Sequence, residues 1–211
     1  MRICIVIPAR IGSTRLKENP LTLIDGKPLV RVVYESCERS GLDTYVFTDS
    51  LRVGTLVKNC VISSEEYRNG TERIAGCMGS LEDYDYIINV QGDMLNVSLS
   101  AILCMIDNAK ENEVLTLSSP ISEGSVEVST DLLGYATSFK RNEQPTETHL
   151  GIYGYPVKAL HDYLKTPQGV EEKEQSLEQL RWYSTNYPIK VISLKENLKE
   201  INTINDLSTC P

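Results

Sequence analysis

Apolar positions fall in short blocks along the first half of the chain, and the blocks alternate between two periods. Ile3-Cys4-Ile5-Val6-Ile7 is an unbroken apolar run between Arg2 and Pro8, and Tyr86-Ile87-Ile88-Asn89-Val90 nearly repeats it. Runs of this length with no polar alternation predict strands buried on both faces. Between them the pattern predicts a helix over about 28–40, a strand at 44–48, a short helix near 51–58, a strand at 60–63 and a helix over 71–80. Strand 85–90 is followed by a helix over 98–110. Strands alternating with helices predict βαβ units around a mainly parallel sheet.

From 114 onward the chain is less helical. Strands are predicted at 114–117, 135–139 and 151–155, helices at 157–164 and 174–185, and a last strand at 189–194 before a short terminal helix. No repeat, low-complexity tract or linker interrupts the chain, so one domain over 1–211 is expected, in the α/β class with a mixed, mainly parallel central sheet and helices on both faces. Such sheets bind ligands at the carboxyl ends of their strands. That rule singles out the loops 8–20, 48–50 and 91–95.

Composition narrows the class. With 41% hydrophobic and 24% charged residues the chain is neither disordered nor membrane-spanning, and its N-terminal apolar run is too short for a signal peptide. A cytoplasmic protein with no membrane partner is expected. The six cysteines lie far apart without CxxC spacing and only two histidines are present, so reduced core thiols are expected rather than disulfides or a zinc site. The net charge of −8 argues against a nucleic-acid partner. Residues 1–31, however, carry six Lys or Arg against two acids, leaving −12 on the rest. A local cationic patch in an acidic chain suits a small anionic ligand.

The patch centres on Pro8-Ala9-Arg10-Ile11-Gly12-Ser13-Thr14-Arg15-Leu16. Gly12 lets backbone N–H groups approach a phosphate, Ser13 and Thr14 can donate, and Arg10 and Arg15 can form charge-assisted forks on triphosphate oxygens. The loop matches neither the Walker nor the dinucleotide fingerprint, and the same residues also suit a basic surface turn. Gly70-Thr71-Glu72-Arg73 opens a predicted helix whose free N–H groups and Thr71 hydroxyl can bond a ligand edge; an ordinary helix start reads the same way. Asp93 ends strand 85–90, where a carboxylate can hold Mg²⁺ or simply form a turn.

Taken in order, the loop at 8–16, Asp25-Gly26-Lys27-Pro28-Leu29, Thr48-Asp49, Gly70–Arg73, Asn89-Val90-Gln91-Gly92-Asp93, His149–Tyr155 and Leu177-Glu178-Gln179-Leu180-Arg181 resemble the motifs of the CMP-Kdo synthetases, which activate 3-deoxy-manno-octulosonate (Kdo). The resemblance spans nearly the whole chain. It implies a nucleotide-diphospho-sugar transferase fold, of Rossmann-like type, with a nucleotide-binding half over about 1–112 and a sugar-binding and dimerisation half over about 113–211. It implies transfer of CMP from CTP to Kdo with release of pyrophosphate, for surface (lipopolysaccharide) synthesis, by a Mg²⁺-dependent homodimer.

By resemblance, Arg10, Arg15 and Asp93 serve catalysis. Ala9, Arg10, Ser13, Arg15, Gly70, Thr71, Arg73 and Gln91 bind nucleotide, and Gln91, Arg141, His149, Tyr153, Glu178 and Gln179 bind the sugar. Asp93 and Asn202 stand at the metal-ligand positions. The chain departs from the family at Asn19, where the family has a phosphate-binding lysine, and at Asn202, where it has aspartate. The excursion between Arg141 and His149 is also much shorter than the family's. These departures leave two alternatives open: the same chemistry on another acidic ulosonate or nonulosonate, or a silent CTP- or sugar-binding homologue.

Overall fold

The computed structural model describes residues 1–12, 18–201 and 206. Strand β1 (Ile3–Ala9) leads through a short hairpin, β2 (Leu23–Ile24) and β3 (Lys27–Pro28), into helix α1 (Leu29–Glu38). Next come β4 (Asp43–Thr48), α2 (Leu51–Gly54), β5 (Cys60–Ile62), α3 (Gly70–Gly76), β6 (Tyr86–Asn89) and α4 (Leu99–Asp107). The second half contains β7 (Val114–Ser119), β8 (Val126–Thr130), β9 (Ala136–Arg141), β10 (Thr148–Pro156), α5 (Val157–Lys165), α6 (Val170–Gln175), a 3₁₀ segment Glu178–Ser184 and β11 (Ile189–Ser193).

The sheet runs β11-β7-β10-β6-β1-β4-β5, with the β8–β9 hairpin attached to β10. Pairs β1–β4, β1–β6, β4–β5 and β7–β11 are parallel, whereas β10 lies antiparallel between β6 and β7. This is the mixed, mainly parallel sheet expected from the sequence.

Side-chain alternation along each strand divides the core into two layers. On β1, Ile5 and Ile7 pack with Leu29, Val33 and Ile102 under α1 and α4, while Cys4 and Val6 pack with Ile74, Ala159 and Tyr163 under α3 and α5. Strand β6 alternates the same way, Ile88 to the first layer and Ile87 to the second. Burial on both faces accounts for the unbroken apolar runs.

Several expectations need correction. The predicted helix 174–185 is two elements, because Ser176 adopts a left-handed φ of 53° and turns the chain between α6 and the 3₁₀ segment. The predicted helix 71–80 stops at Gly76 and continues as a separate 3₁₀ turn at 78–80, and the one near 51–58 is only α2. Strand β8 and the β2–β3 hairpin were not anticipated. The hairpin turn is Asp25-Gly26, both at positive φ, a pairing that favours a tight two-residue hairpin. Among the described cysteines all five are free, but only Cys4 and Cys37 are buried; Cys60, Cys77 and Cys104 are half-buried. Cys210 and the predicted terminal helix, Asp206 aside, lie outside the described residues.

Candidate active site

Strands β1 and β6 run side by side, with Val6 opposite Asn89, and both open into loops at their carboxyl ends. The loops approach closely because Gly92 has no side chain: a Cβ there would lie 2.8 Å from the Pro8 carbonyl oxygen. At Gly70 a Cβ would come within 3.0 Å of Pro8 Cγ. Between these loops and the start of α3 opens a cleft of about 340 Å³. Ala9, Arg10, Gly70, Arg73, Gln91 and Asp93 all line it. The structure thus gathers six of the expected residues, drawn from the carboxyl ends of β1 and β6 and from the first turn of α3, in one cavity. Ser13, Arg15 and Asn202 lie outside the described residues.

One wall of the cleft is a buried guanidinium. Arg73 is 4% exposed, its Nη2 stands 3.9 Å from Asp49 Oδ2, and its plane lies over the Tyr67 ring at 5.2 Å. Asp49 in turn accepts the Ile11 amide at 3.0 Å, tying the loop after β4 to the loop after β1. Arg73 Nη1 has no hydrogen-bond partner. A buried donor left unpaired costs about 1–3 kcal/mol, more when charged, so this wall lacks an acceptor.

Thr71 departs from expectation. Its hydroxyl is buried, 2.9 Å from the Tyr155 hydroxyl, and donates to Glu178 Oε1 at 3.0 Å; its amide donates to Glu178 Oε2 at 3.4 Å. The Asn69 side chain caps α3 by accepting the Glu72 amide at 2.8 Å. The Thr71 hydroxyl and these two amides therefore face protein partners rather than a ligand edge. Burial raises the Glu178 pKa to about 7, against the pull of the two Thr71 bonds and of Arg181.

Glu178 borders a smaller cavity of about 160 Å³, and Arg68, Asn69 and Ser176 line both this cavity and the main cleft. Arg141 reaches the same corner from β9, donating to the carbonyls of Gln175 (3.3 Å) and Ser176 (3.4 Å) and to Ser125 Oγ (3.1 Å). Gln91 donates to the Gly151 carbonyl at 3.3 Å, where β10 departs from regular pairing and Gly151 takes a φ of +68°. His149 Nε2 lies 3.0 Å from Thr116 Oγ1, which itself donates to the Ile152 carbonyl at 2.7 Å. With its proton so directed, Thr116 must accept from Nε2–H. Desolvation pushes the His149 pKa down to about 3, so the ring is neutral. Tyr153 is buried and stacked on Tyr155 at 5.6 Å, and Gln179 is buried beside Glu178, so both are part of the packed interior.

The sequence reading missed what holds this corner together. Fully buried Arg181 binds Glu172 through Nε at 2.9 Å and Glu72 through Nη2 at 2.8 Å, with its guanidinium 4.3 Å from the Tyr163 ring centre. Arg68 closes on Glu72 at 2.7 Å from the solvent side. The signal was present in the arginine ending Leu177–Arg181, but its carboxylate partners are 9 and 109 positions away.

Among the described residues no group of three or more His, Cys, Asp or Glu could form a protein metal cage. Mg²⁺ does not need one: it is commonly held by one or two carboxylates together with substrate phosphates and water. A single carboxylate, Asp93, on the wall of a cleft also lined by Arg10 and Arg73 fits that mode.

A cytidylyltransferase family model matches residues 4–201. The 3-deoxy-manno-octulosonate cytidylyltransferase of Fusobacterium nucleatum is 33% identical, over 98% of this chain and 94% of its own. The 8-amino-3,8-dideoxy-manno-octulosonate cytidylyltransferase of Shewanella pealeana is 32% identical, over 100% and 97%. A solved CMP:2-keto-3-deoxy-manno-octonic acid synthetase complexed with CTP superposes with a TM-score of 0.86 at 29% identity, covering 99% of this chain and 96% of that one.

Proposed function

This chain belongs to the cytidylyltransferase family, and we propose that it transfers CMP from CTP to 3-deoxy-manno-octulosonate, releasing pyrophosphate and activating the sugar for surface polysaccharide synthesis. The observation that carries the reading is the cleft itself: it joins Ala9 and Arg10, the buried Arg73 guanidinium with its unpartnered Nη1, Gln91 and Asp93 in one cavity at the carboxyl ends of β1 and β6.

In this reading the sugar's anomeric hydroxyl attacks the α-phosphorus of CTP in line, the bond to the β-phosphate breaks, and the hydroxyl proton passes to solvent. Positioning and charge neutralisation dominate such chemistry. Arg10 and Arg15 take charge from the triphosphate, and Ser13 is the proposed hydroxyl donor to it. The backbone at Ala9 and Gly70, with Arg73, meets the base. Gln91 stands between nucleotide and sugar. Arg141, His149, Tyr153, Glu178 and Gln179 shape the sugar corner, where Tyr153 and Gln179 act from within the packed interior, Glu178 from the border of the smaller cavity, and Thr71 through its bond to Glu178. Asp93, with Asn202, is the proposed holder of Mg²⁺, which when bound supplies charge neutralisation and lowers the hydroxyl pKa.

A second acceptor has its own support, because relatives named for the 8-amino sugar match this chain over its full length at nearly the same identity as those named for Kdo. A cytoplasmic homodimer is the proposed working form; Ile121, Leu132 and Leu133 are exposed apolar residues available to a subunit contact. Among the described residues no helix is long and apolar enough to cross a membrane.

Pyrophosphate release from CTP, Mg²⁺ and either sugar, measured beside Asp93→Ala, tests the reading. Wild-type release that falls by about 10²–10³-fold in the variant is expected, the scale of losing a principal electrostatic group. Absence of release with both sugars sinks the proposal, and competition between the sugars assigns the acceptor.

A further inference from the structure

Asn19 stands at the cleft, in the position where the resembling family carries a phosphate-binding lysine. Its side chain does something a phosphate contact would not require. Asn19 Nδ2 donates to the Ile201 carbonyl at 2.7 Å across 182 positions of sequence, and both residues are buried. The Ile201 amide donates to the Asp93 carbonyl at 2.8 Å. One peptide unit on each side of Ile201 is thereby fixed, one by the loop after β1 and the other by the loop after β6.

This cross-brace sits at the end of a laced segment. The Leu95 amide donates to the Lys199 carbonyl at 2.8 Å, the Asn96 side chain bonds both Asn197 and Lys199 at 2.6 Å, and Ser122 Oγ reaches the Leu198 carbonyl at 3.1 Å. All of these except the Ser122 bond run between 93–96 and 197–201. Asn19 alone among these groups ties the segment to the nucleotide side of the cleft. Its own Oδ1 is buried without a partner, so the amide is held in place by the Ile201 bond and not by any second contact of its oxygen.

We infer that Asn19 is a positioning residue that clamps the C-terminal run through Ile201 against Asp93, and so sets the carboxylate's loop for the metal–nucleotide complex. The inference rests on the reading of Asp93 as the metal-holding carboxylate. In this chain the amide at position 19 is a brace, rather than a weakened phosphate contact.

The test compares wild type with Asn19→Ala and Asn19→Leu, the second being close to isosteric and carrying no donor and no charge. Hydrogen exchange at the Ile201 and Leu95 amides reports the brace, and Mn²⁺ binding to the enzyme–CTP complex reports its consequence. Both variants should exchange these amides at least about tenfold faster, with a melting temperature lowered by only the few degrees that one lost buried hydrogen bond costs. They should bind Mn²⁺ about tenfold or more weakly, while CTP binding without metal keeps its wild-type affinity. Wild-type exchange and Mn²⁺ affinity in the Leu variant overturn the inference, as does a loss confined to metal-free CTP binding, which would return Asn19 to a phosphate role. If the Ala variant does not fold, the Leu variant decides. Neither readout uses the acceptor sugar, so absence of turnover in wild type counts against the proposed acceptor and leaves the brace to be judged on its own measurements.

Discussion

Thr71 donates its hydroxyl proton to Glu178 at 3.0 Å although 107 positions separate them. The bond continues a directed chain: Asn89 Nδ2 donates to the Tyr155 hydroxyl at 3.3 Å, and that hydroxyl, left to donate, points to Thr71 Oγ1 at 2.9 Å. Together with the Arg181–Glu72 pair, it means that the motif beginning α3 and the motif Leu177–Arg181 form one structural unit. What reads in sequence as a nucleotide motif and a sugar motif is, in the fold, a single wall between two cavities.

The first prediction concerns the charge on Glu178. Its folded pKa, raised to about 7 by burial, lies above the ordinary carboxylate value of 4.5. The folded protein therefore holds a proton that the unfolded chain releases between these values. The stability this supplies is fully present below about pH 4.5 and is lost as pH rises through about 7, with a total on the order of 3 kcal/mol. Glu178→Gln cannot titrate, so the stability difference between variant and wild type should grow in the variant's favour over that window. Urea unfolding at half-unit pH steps measures it; a difference that is flat with pH rejects the assignment.

A second prediction follows from Arg181. Removing one partner of a buried ion group strands the others, at about 3–5 kcal/mol. Arg181→Met should lose stability on that scale by leaving Glu72 and Glu172 without their shared cation. Neutralising both acids in the same protein, with Glu72→Gln and Glu172→Gln, should recover a substantial part of the loss. Unfolding midpoints of the single and triple variants decide; an equally unstable triple variant would assign the loss to packing against Tyr163 instead.

How much of this was readable in advance depended on the range of the interaction. Strands β1 and β6 were legible because burial on both faces leaves an unbroken apolar run, and the cleft followed because their carboxyl ends define where ligands enter such a sheet. The β8 strand and the Asp25-Gly26 hairpin carried local signals, alternation in Val126–Thr130 and a tight-turn dipeptide, that went unused. The break at Ser176 was different. Residues 174–185 have helical character locally, and what divides them is the left-handed Ser176 turn, beyond which Arg181 reaches back to Glu172 and Glu72, contacts that no local window contains. The inward turn of Thr71 was illegible for the same reason, since its partner Glu178 arrives from the far end of the chain.

Third, His149 should be silent in the neutral pH range. Its pKa is pushed down from 6.5 to about 3 by desolvation, and its Nε2–H is committed to Thr116. Nitrogen NMR should find the Nε2–H tautomer with no titration between pH 5 and 8. Because the folded value is depressed, its stabilising contribution is present above about pH 6.5 and is lost as pH falls towards 3. His149→Gln should remove that part of the acid sensitivity, and an imidazole titrating near 6.5 in the folded protein would contradict the geometry.

The last prediction places a methyl group where the site has no room. Gly92 lies between the end of β6 and the loop after β1, and a Cβ there would stand 2.8 Å from Pro8 O and 3.2 Å from Ala9 Cβ. Neither neighbour is the flexible end of a side chain, so Gly92→Ala must push the two loops apart. Overpacking of this kind costs about 1–3 kcal/mol. The larger effect should fall on activity, because Ala9, Arg10, Gln91 and Asp93 all belong to these two loops, and a misplacement of about 1 Å can cost about 10²-fold in rate. Gly79, with nothing within 4 Å of its Cβ position, provides the control: Gly79→Ala should leave both quantities near wild type. Comparing kcat and melting temperature for the two variants separates a distorted site from a general loss of stability. A Gly92→Ala enzyme with wild-type kcat would mean that the separation of the two loops does not set the reacting geometry.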